Sequence, residues 1–218
     1  MNLLKIKGIE YSFPLDGNHY QLTIEHPDVM TSLIHDFYES NEECIFLSQD
    51  FKLLDLKKNM FFISSIFDID VNSKKCLTTL YQNLNQTEIT VERREQIQKI
   101  NNLITELMEI LKTDLSFSID YDENLELKDY LSLVQMKILY SEKDLLERIV
   151  VYLRIIYQML PCKLVVFPFL DSFLSVDQII KLMNEMKLLG MSLIILNSYQ
   201  KKNLPLKNFL IDYDLCEI

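Results

Sequence analysis

The stretch KLVVFPFLDSFLSVDQIIKLMNEMKLLGMSLIIL, residues 163–196, decides the fold. Its two short apolar runs predict strands over Lys163–Phe167 and Met191–Leu196. The segment between them has helical periodicity, which predicts a helix over Val176–Leu189 that Gly190 ends. Apolar strands joined by a helix are typical of parallel sheets covered by helices. The chain is therefore predicted to be an α/β protein with a mostly parallel sheet.

The residues on either side of this stretch extend the same pattern. A last short strand is predicted over Phe209–Tyr213. A long apolar helix is predicted over Leu145–Leu160, with Ser141 as its N-cap and Pro161 at its end. Both ends of the chain are then expected to contribute to one sheet.

The first sixty residues also alternate between strand and helix signals. Leu3–Phe13 and Tyr20–Glu25 are predicted to form a hairpin across the turn residues 16–18. A helix is predicted over Asp28–Tyr38 after Pro27, and Cys44–Leu47 and Met60–Ile63 are predicted to be buried strands.

The middle of the chain has helical patterns only. Helices are predicted over Ser73–Leu84, Thr90–Leu111 and Leu125–Val134. We therefore predict an α/β domain made from residues 1–60 and 140–218, with residues 61–139 inserted as a helical domain.

Composition narrows the classes of function. Only three glycines occur in 218 residues, and none lies in the G-x-x-x-x-G-K-[ST] pattern that wraps a phosphate. Asp171 follows an apolar strand, like the magnesium-binding acid of P-loop hydrolases, or simply caps the turn there. We expect a degenerate P-loop-hydrolase-like sheet without hydrolase activity.

The four cysteines lack C-x-x-C spacing and are predicted to be buried thiols. With no signal peptide or membrane span recognisable, a cytoplasmic protein with no membrane partner is expected.

The chain has a formal charge of −10, and half of it lies between Asp114 and Asp129. Such crowding is compatible with a solvated acidic loop or with a site for a hard cation, of which calcium best tolerates irregular geometry. The pattern Asp122, Glu126 and Lys128 also resembles, weakly, the acid and E-x-K arrangement of metal-dependent nucleases. Small groups of lysines occur elsewhere, each either a solvated surface or part of a phosphate-binding surface assembled from several subunits.

Three segments in this order resemble a known family: FDIDVNSKKCLTTLYQNLNQ (67–86), SFSIDYDENLELKDYLSLVQMKI (116–138) and LPCKLVVFPFLDSFLSVDQIIKLMNEMKLLGMSLIILNS (160–198). The family is the small subtype II-A CRISPR-associated spacer-acquisition proteins, which form rings and bind DNA ends. The resemblance implies an α/β head domain, an inserted helical leg domain, and a calcium-stabilised homotetrameric ring. It also implies binding of double-stranded DNA ends without catalysis.

The resemblance also implies site residues and partners. The calcium-binding stretch matches Asp120, Asp122 and Glu123, with Glu126 as a looser match. The DNA-binding positions correspond to Lys52, Lys57, Lys58 and Lys137. The CRISPR adaptation integrase and the effector nuclease are the implied protein partners. Two alternatives stay open, a metal-dependent nuclease and a helical protein-interaction module.

Overall fold

The computed structural model describes residues 2–67, 69–86, 90–139, 144–200 and 204–218, without the side chains of Lys75 and Met159. The chain forms two compact units. The first consists of Met1–Asp70 and Tyr140–Ile218, and the second of Val71–Leu139.

Nine strands and seven α-helices lie in the described residues. The strands are β1 (Asn2–Ile6), β2 (Ser12–Pro14), β3 (His19–Ile24), β4 (Ile45–Gln49), β5 (Lys52–Leu53), β6 (Met60–Phe62), β7 (Leu164–Pro168), β8 (Ser192–Asn197) and β9 (Lys207–Ile211). The helices are α1 (Pro27–Glu39), α2 (Leu56–Asn59), α3 (Lys74–Gln86), α4 (Val91–Asp114), α5 (Leu127–Leu133), α6 (Leu145–Met159) and α7 (Val176–Leu188). No helix among the described residues is both long and apolar enough to cross a membrane.

A five-stranded parallel sheet forms the centre of the first unit. Its strand order is β6-β7-β8-β3-β9, and every neighbouring pair is parallel. Strands from both ends of the chain therefore share this sheet, which confirms the predicted α/β class. Helix α7 connects β7 to β8 as predicted and buries Ile179, Leu182 and Met186.

The predicted hairpin between Leu3–Phe13 and Tyr20–Glu25 is wrong. Strand β1 pairs instead with β2 and β4 in a separate antiparallel sheet of order β2-β1-β4-β5. Asp16 and Gly17 do form a turn, with φ of 35° and 78°, but this turn leads from one sheet to the other. All six residues of β3 are buried, as a central strand of a parallel sheet requires.

The core of the first unit lies between these two sheets. Tyr20 and Leu22 of the parallel sheet belong to one apolar cluster with Leu4 and Phe13 of the antiparallel sheet and Phe37 of α1. The Tyr20 hydroxyl also donates a hydrogen bond of 2.7 Å to the backbone oxygen of Pro14. Burial of these side chains, at roughly 2 kcal/mol each, supplies the main driving force for joining the sheets.

Helix α6 begins at Leu145 as predicted, but its N-cap residue differs from the predicted one. Ser141 lies outside the described residues, and Asp144 is the N-cap residue. Its carboxylate oxygen Oδ1 accepts hydrogen bonds from the backbone N–H groups of Leu146 and Glu147, at 2.8 and 3.4 Å. These bonds satisfy two of the donors that a helix leaves unpaired at its N-terminus.

The second unit contains the three helices predicted for this region, α3, α4 and α5. Helices α3 and α5 pack against each other. The segment after α5 is fixed to α3, because the Tyr81 hydroxyl donates to the Met136 oxygen at 2.7 Å. Asn72 also exchanges two hydrogen bonds with the backbone of Ile138, at 2.8 and 3.0 Å.

The cysteine prediction is only partly correct. Cys76 and Cys162 are buried and Cys44 is half-buried, but Cys216 is exposed. All four are free thiols. Burial raises the pKa of Cys162 to about 12, so this thiol remains protonated and unreactive at neutral pH.

Candidate metal and nucleic-acid sites

The acidic loop lies in the second unit between α4 and α5, and its acids are exposed. Asp120 Oδ1 accepts the backbone N–H of Tyr121 at 3.0 Å. Asp122 Oδ1 accepts the backbone N–H of Asn124 at 3.0 Å. Both carboxylates thus stabilise local turns through one oxygen each. Carboxylate oxygens that remain available to solvent are suitable ligands for a hard cation.

Tyr121 attaches this loop to the end of α4. Its hydroxyl donates to Glu109 Oε1 at 3.1 Å, and Lys112 donates to the same oxygen at 2.7 Å. The Lys112 ammonium also lies 4.8 Å from the centre of the Tyr121 ring. The hydrogen bond from Lys112 is the main reason why the pKa of Glu109 is lowered, with that from Tyr121 second.

Glu126 has different surroundings from the other three predicted ligands. It occupies the N-cap position of α5. Its Oε2 atom accepts hydrogen bonds from Asn85 at 2.9 Å and Lys128 at 2.8 Å. The hydrogen bond from Lys128 is the main cause of the lowered pKa of Glu126. A cation would therefore have to compete with two donors for this oxygen.

The predicted acids do not converge within one chain. Among the described residues, no three side chains of His, Cys, Asp or Glu lie close enough to hold a metal ion together. The donor chemistry of Asp120, Asp122 and Glu123 fits calcium, which takes six to eight oxygen ligands. Their arrangement in a single chain supplies only part of such a ligand set.

Three of the predicted DNA-binding lysines lie on the surface of the first unit. Lys52 is on the short strand β5, and Lys57 and Lys58 are on α2, all exposed. Helix α2 is fixed below them by Leu56, which is buried. Lys58 forms an ion pair of 3.4 Å with Asp55, a contact of small energetic value at an exposed position.

Lys137, the fourth predicted lysine, lies in the second unit beside an open groove of about 610 Å³. Lys74 and Lys128 line the same groove, together with the acid Asp129. Packing of α3 on α5 brings these lysines together from positions about sixty residues apart. Lys74 was not among the predicted DNA-binding residues, because only this packing reveals its neighbours.

Asp171 lies in a short 3-10 turn, Leu170–Ser172, directly after β7, and is buried. Strand β3 is followed by α1. The connection between them is only Glu25 and His26 before Pro27. Neither Glu25 nor His26 is a glycine, so this connection lacks the residues whose backbone approaches a phosphate in a phosphate-binding loop.

Comparison with known proteins identifies relatives over most of the chain. The model of the Cas_Csn2 family of CRISPR-associated proteins matches residues 37–215. A CRISPR-associated protein Csn2 from Streptococcus agalactiae is 26% identical over 200 residues. That alignment covers 88% of this chain and 87% of the streptococcal protein.

Proposed function

The chain belongs to the Csn2 family of CRISPR-associated proteins, and on that basis we propose that it acts in CRISPR adaptation by binding the ends of double-stranded DNA. In this proposal the active form is a calcium-stabilised homotetrameric ring without catalytic activity of its own. The observation that carries the proposal is the family match, which extends over residues 37–215. Its partners would be the CRISPR adaptation integrase and the effector nuclease.

The exposed lysines support the DNA-binding part of this proposal. Lys52, Lys57 and Lys58 place three ammonium groups within seven residues of the first unit. Lys74, Lys128 and Lys137 line one groove of the second unit. Lysine binds phosphate as a point charge, so such surfaces favour the DNA backbone over particular bases. A ring of four chains would repeat each contact and multiply its effect.

The acidic loop between α4 and α5 supports the proposed binding of calcium. Its exposed carboxylates are hard ligands, and Asp114–Asp129 concentrates negative charge that a divalent cation would neutralise. Asp120, Asp122 and Glu123 would be the principal ligands, and Glu126 a weaker one because Asn85 and Lys128 already bind it. The remaining oxygen ligands that calcium requires would come from a local rearrangement or from a second copy of the chain.

Native mass measured with calcium and with a chelator tests the assembly. We expect a tetramer in calcium and smaller species in the chelator, because removing the cation restores repulsion between the carboxylates. Replacing both Asp122 and Glu123 by Ala should weaken the calcium response. The matched control replaces Glu42 and Glu43, two adjacent exposed acids of the first unit. A monomer under both conditions, or equal responses of the two variants, would contradict the calcium proposal.

DNA binding is tested with linear duplex and covalently closed circles of equal length. A ring threads only from an end, so we expect tighter binding to the linear duplex. Replacing both Lys52 and Lys57 by Gln should reduce the slope of log affinity against log salt by about 0.9 for each phosphate that is no longer neutralised. The control replaces Lys181 and Lys187 of α7, which are also exposed. Equal binding to circles would refute threading, and divalent-cation-dependent cleavage by the purified chain would refute the binding-only function.

A further inference from the structure

The tip of the β4–β5 hairpin has an unusual residue for its backbone conformation. Gln49 pairs with Lys52, so the loop consists of Asp50 and Phe51 alone. Both loop residues have positive φ, 49° and 65°. Two-residue loops of this kind favour Asn-Gly or Asp-Gly, because glycine adopts positive φ without steric cost. Asp50 fits this preference, whereas Phe51 occupies the position where glycine is expected.

Phe51 gains nothing from the fold that would offset this conformation. Its exposed fraction is 101%, that is, complete exposure. Leu53, on the same hairpin, is 73% exposed. An aromatic ring held in a disfavoured backbone conformation and presented wholly to solvent indicates a contact outside the chain.

The charges around Phe51 indicate what that contact is. Lys52 follows it directly, and Lys57 and Lys58 are exposed on α2, which packs on β4. Within the described ranges, Lys58 is paired with Asp55, while no ion pair involves Lys52 or Lys57. An aromatic ring beside ammonium groups is the combination by which proteins bind unpaired nucleotides, through stacking on the base and contacts to phosphate.

We propose that Phe51 stacks on an exposed base at a DNA end, while Lys52 and Lys57 bind the adjacent phosphates. This inference rests on the proposed DNA binding and assigns the feature of DNA that the hairpin tip recognises. Bases inside a duplex are already stacked, and separating them costs free energy. Terminal and overhanging bases present an open face, so they are the natural partners of the Phe51 ring. The three lysines Lys52, Lys57 and Lys58 outnumber the two acids Asp50 and Asp55, and this positive excess favours a polyanion over an apolar protein surface.

The test compares two DNA probes that differ only in their bases. One is a duplex with a five-nucleotide thymidine overhang, and the other carries an abasic overhang with the same backbone. Binding is followed by fluorescence anisotropy in calcium. We expect Phe51→Ala to lose about 5- to 150-fold in affinity for the thymidine probe, the range provided by stacking on one base. Its affinity for the abasic probe should change little.

Three further variants separate stacking from other effects. Phe51→Trp retains an aromatic ring and should preserve the preference for thymidine. Leu53→Ala removes an exposed apolar side chain of the same hairpin and should leave both affinities unchanged. Lys52→Gln should weaken binding to both probes equally, because phosphate is present in each. Circular dichroism and urea unfolding of each variant verify that the fold is intact.

The outcomes distinguish this inference from the proposed function. If the wild-type chain binds both probes equally and Phe51→Ala does the same, stacking is refuted while DNA binding stands. If the wild-type chain binds neither probe, both proposals are refuted. If Phe51→Ala retains its DNA affinity but lowers the native mass of the assembly, the hairpin tip contacts a second copy of the chain, and the inference is wrong.

Discussion

His19 should make the stability of the first unit depend on pH. It is the first residue of β3 and is only 7% exposed. Its Nδ1 atom accepts the backbone N–H of Leu193 on the adjacent strand β8, at 3.1 Å. Burial lowers the pKa of His19 from 6.5 to about 4. A hydrogen bond with the backbone of Met183 raises the pKa of His19, and the positive charge of Lys187 lowers it further.

The sign and size of the effect follow from these two pKa values. Above pH 6.5 the imidazole is neutral in both the folded and the unfolded chain, so it contributes nothing to the pH dependence. Below pH 6.5 the unfolded chain binds a proton that the folded chain excludes, and stability falls until about pH 4. The whole shift corresponds to about 3 kcal/mol, of which about 2 kcal/mol is lost between pH 7.5 and pH 5.

Urea unfolding at pH 7.5 and pH 5 measures this loss, in a chelator and at one protein concentration so that assembly does not change. His19→Asn keeps an acceptor for Leu193 but does not titrate. Its drop in unfolding free energy should therefore be about 2 kcal/mol smaller than that of the wild type. His35→Asn, at an exposed position of α1, should behave like the wild type. Equal drops in the wild type and His19→Asn would refute the reasoning. Should the variant not fold, a His19 NMR resonance that titrates near pH 6.5 would refute it equally.

Three further predictions concern stability, each measured by urea unfolding. Asp144→Ala removes the N-cap of α6 and should cost about 1 kcal/mol, while Asp144→Ser should retain most of the stability. Phe51→Gly should stabilise the chain by about 1 kcal/mol, because it relieves a disfavoured φ and removes no buried surface; a loss of stability would show that the ring packs on the fold. Leu22→Ala, in the fully buried centre of β3, should cost about 3 kcal/mol, whereas Leu53→Ala at an exposed position should change stability by less than about 0.5 kcal/mol.

Local sequence patterns were sufficient for much of the parallel sheet. Strands β7 and β8 are short runs of apolar residues, and α7 between them has helical periodicity with Gly190 at its end. Helix α1 begins at Pro27, one residue before its predicted start. In each case the signal lies within about fifteen residues, and the parallel arrangement follows from the connection itself.

The pairing of the first three strands could not be predicted from local sequence patterns. A turn at Asp16 and Gly17 predicts that the chain changes direction, but not which strand the next segment will join. Strand β3 pairs with β8 and β9, about 170 to 190 residues further along the chain. Long-range pairing of this kind is decided by which surfaces bury the most apolar area, and no local pattern encodes it. The pairing of β1 with β4, about forty residues apart, was missed for the same reason.

The candidate sites show the same contrast between what local sequence reveals and what long-range packing decides. The acids and lysines could be selected by chemistry and resemblance, but their neighbours depend on packing. Glu126 has two donors on one oxygen because Asn85 of α3 lies beside the start of α5. Lys137 shares a groove with Lys74 for the same reason. No role was predicted for Phe51. The sequence did contain a signal, because a two-residue hairpin loop that begins with Asp50 favours glycine at the next position, where a bulky Phe51 stands instead.

The charge of the chain gives a physical reason why the proposed DNA binding would depend on the proposed assembly. At physiological salt, charges are screened beyond about 8 Å, so a DNA phosphate responds to nearby groups more than to the total of −10. The hairpin and α2 together carry three lysines, but Asp50 and Asp55 offset two of them. One such surface therefore provides little net attraction. Repeating this surface in the subunits of the proposed ring would convert weak contacts into a usable affinity, because later contacts form at high effective concentration. We accordingly expect any condition that separates the subunits to abolish DNA binding, even though every lysine remains in place.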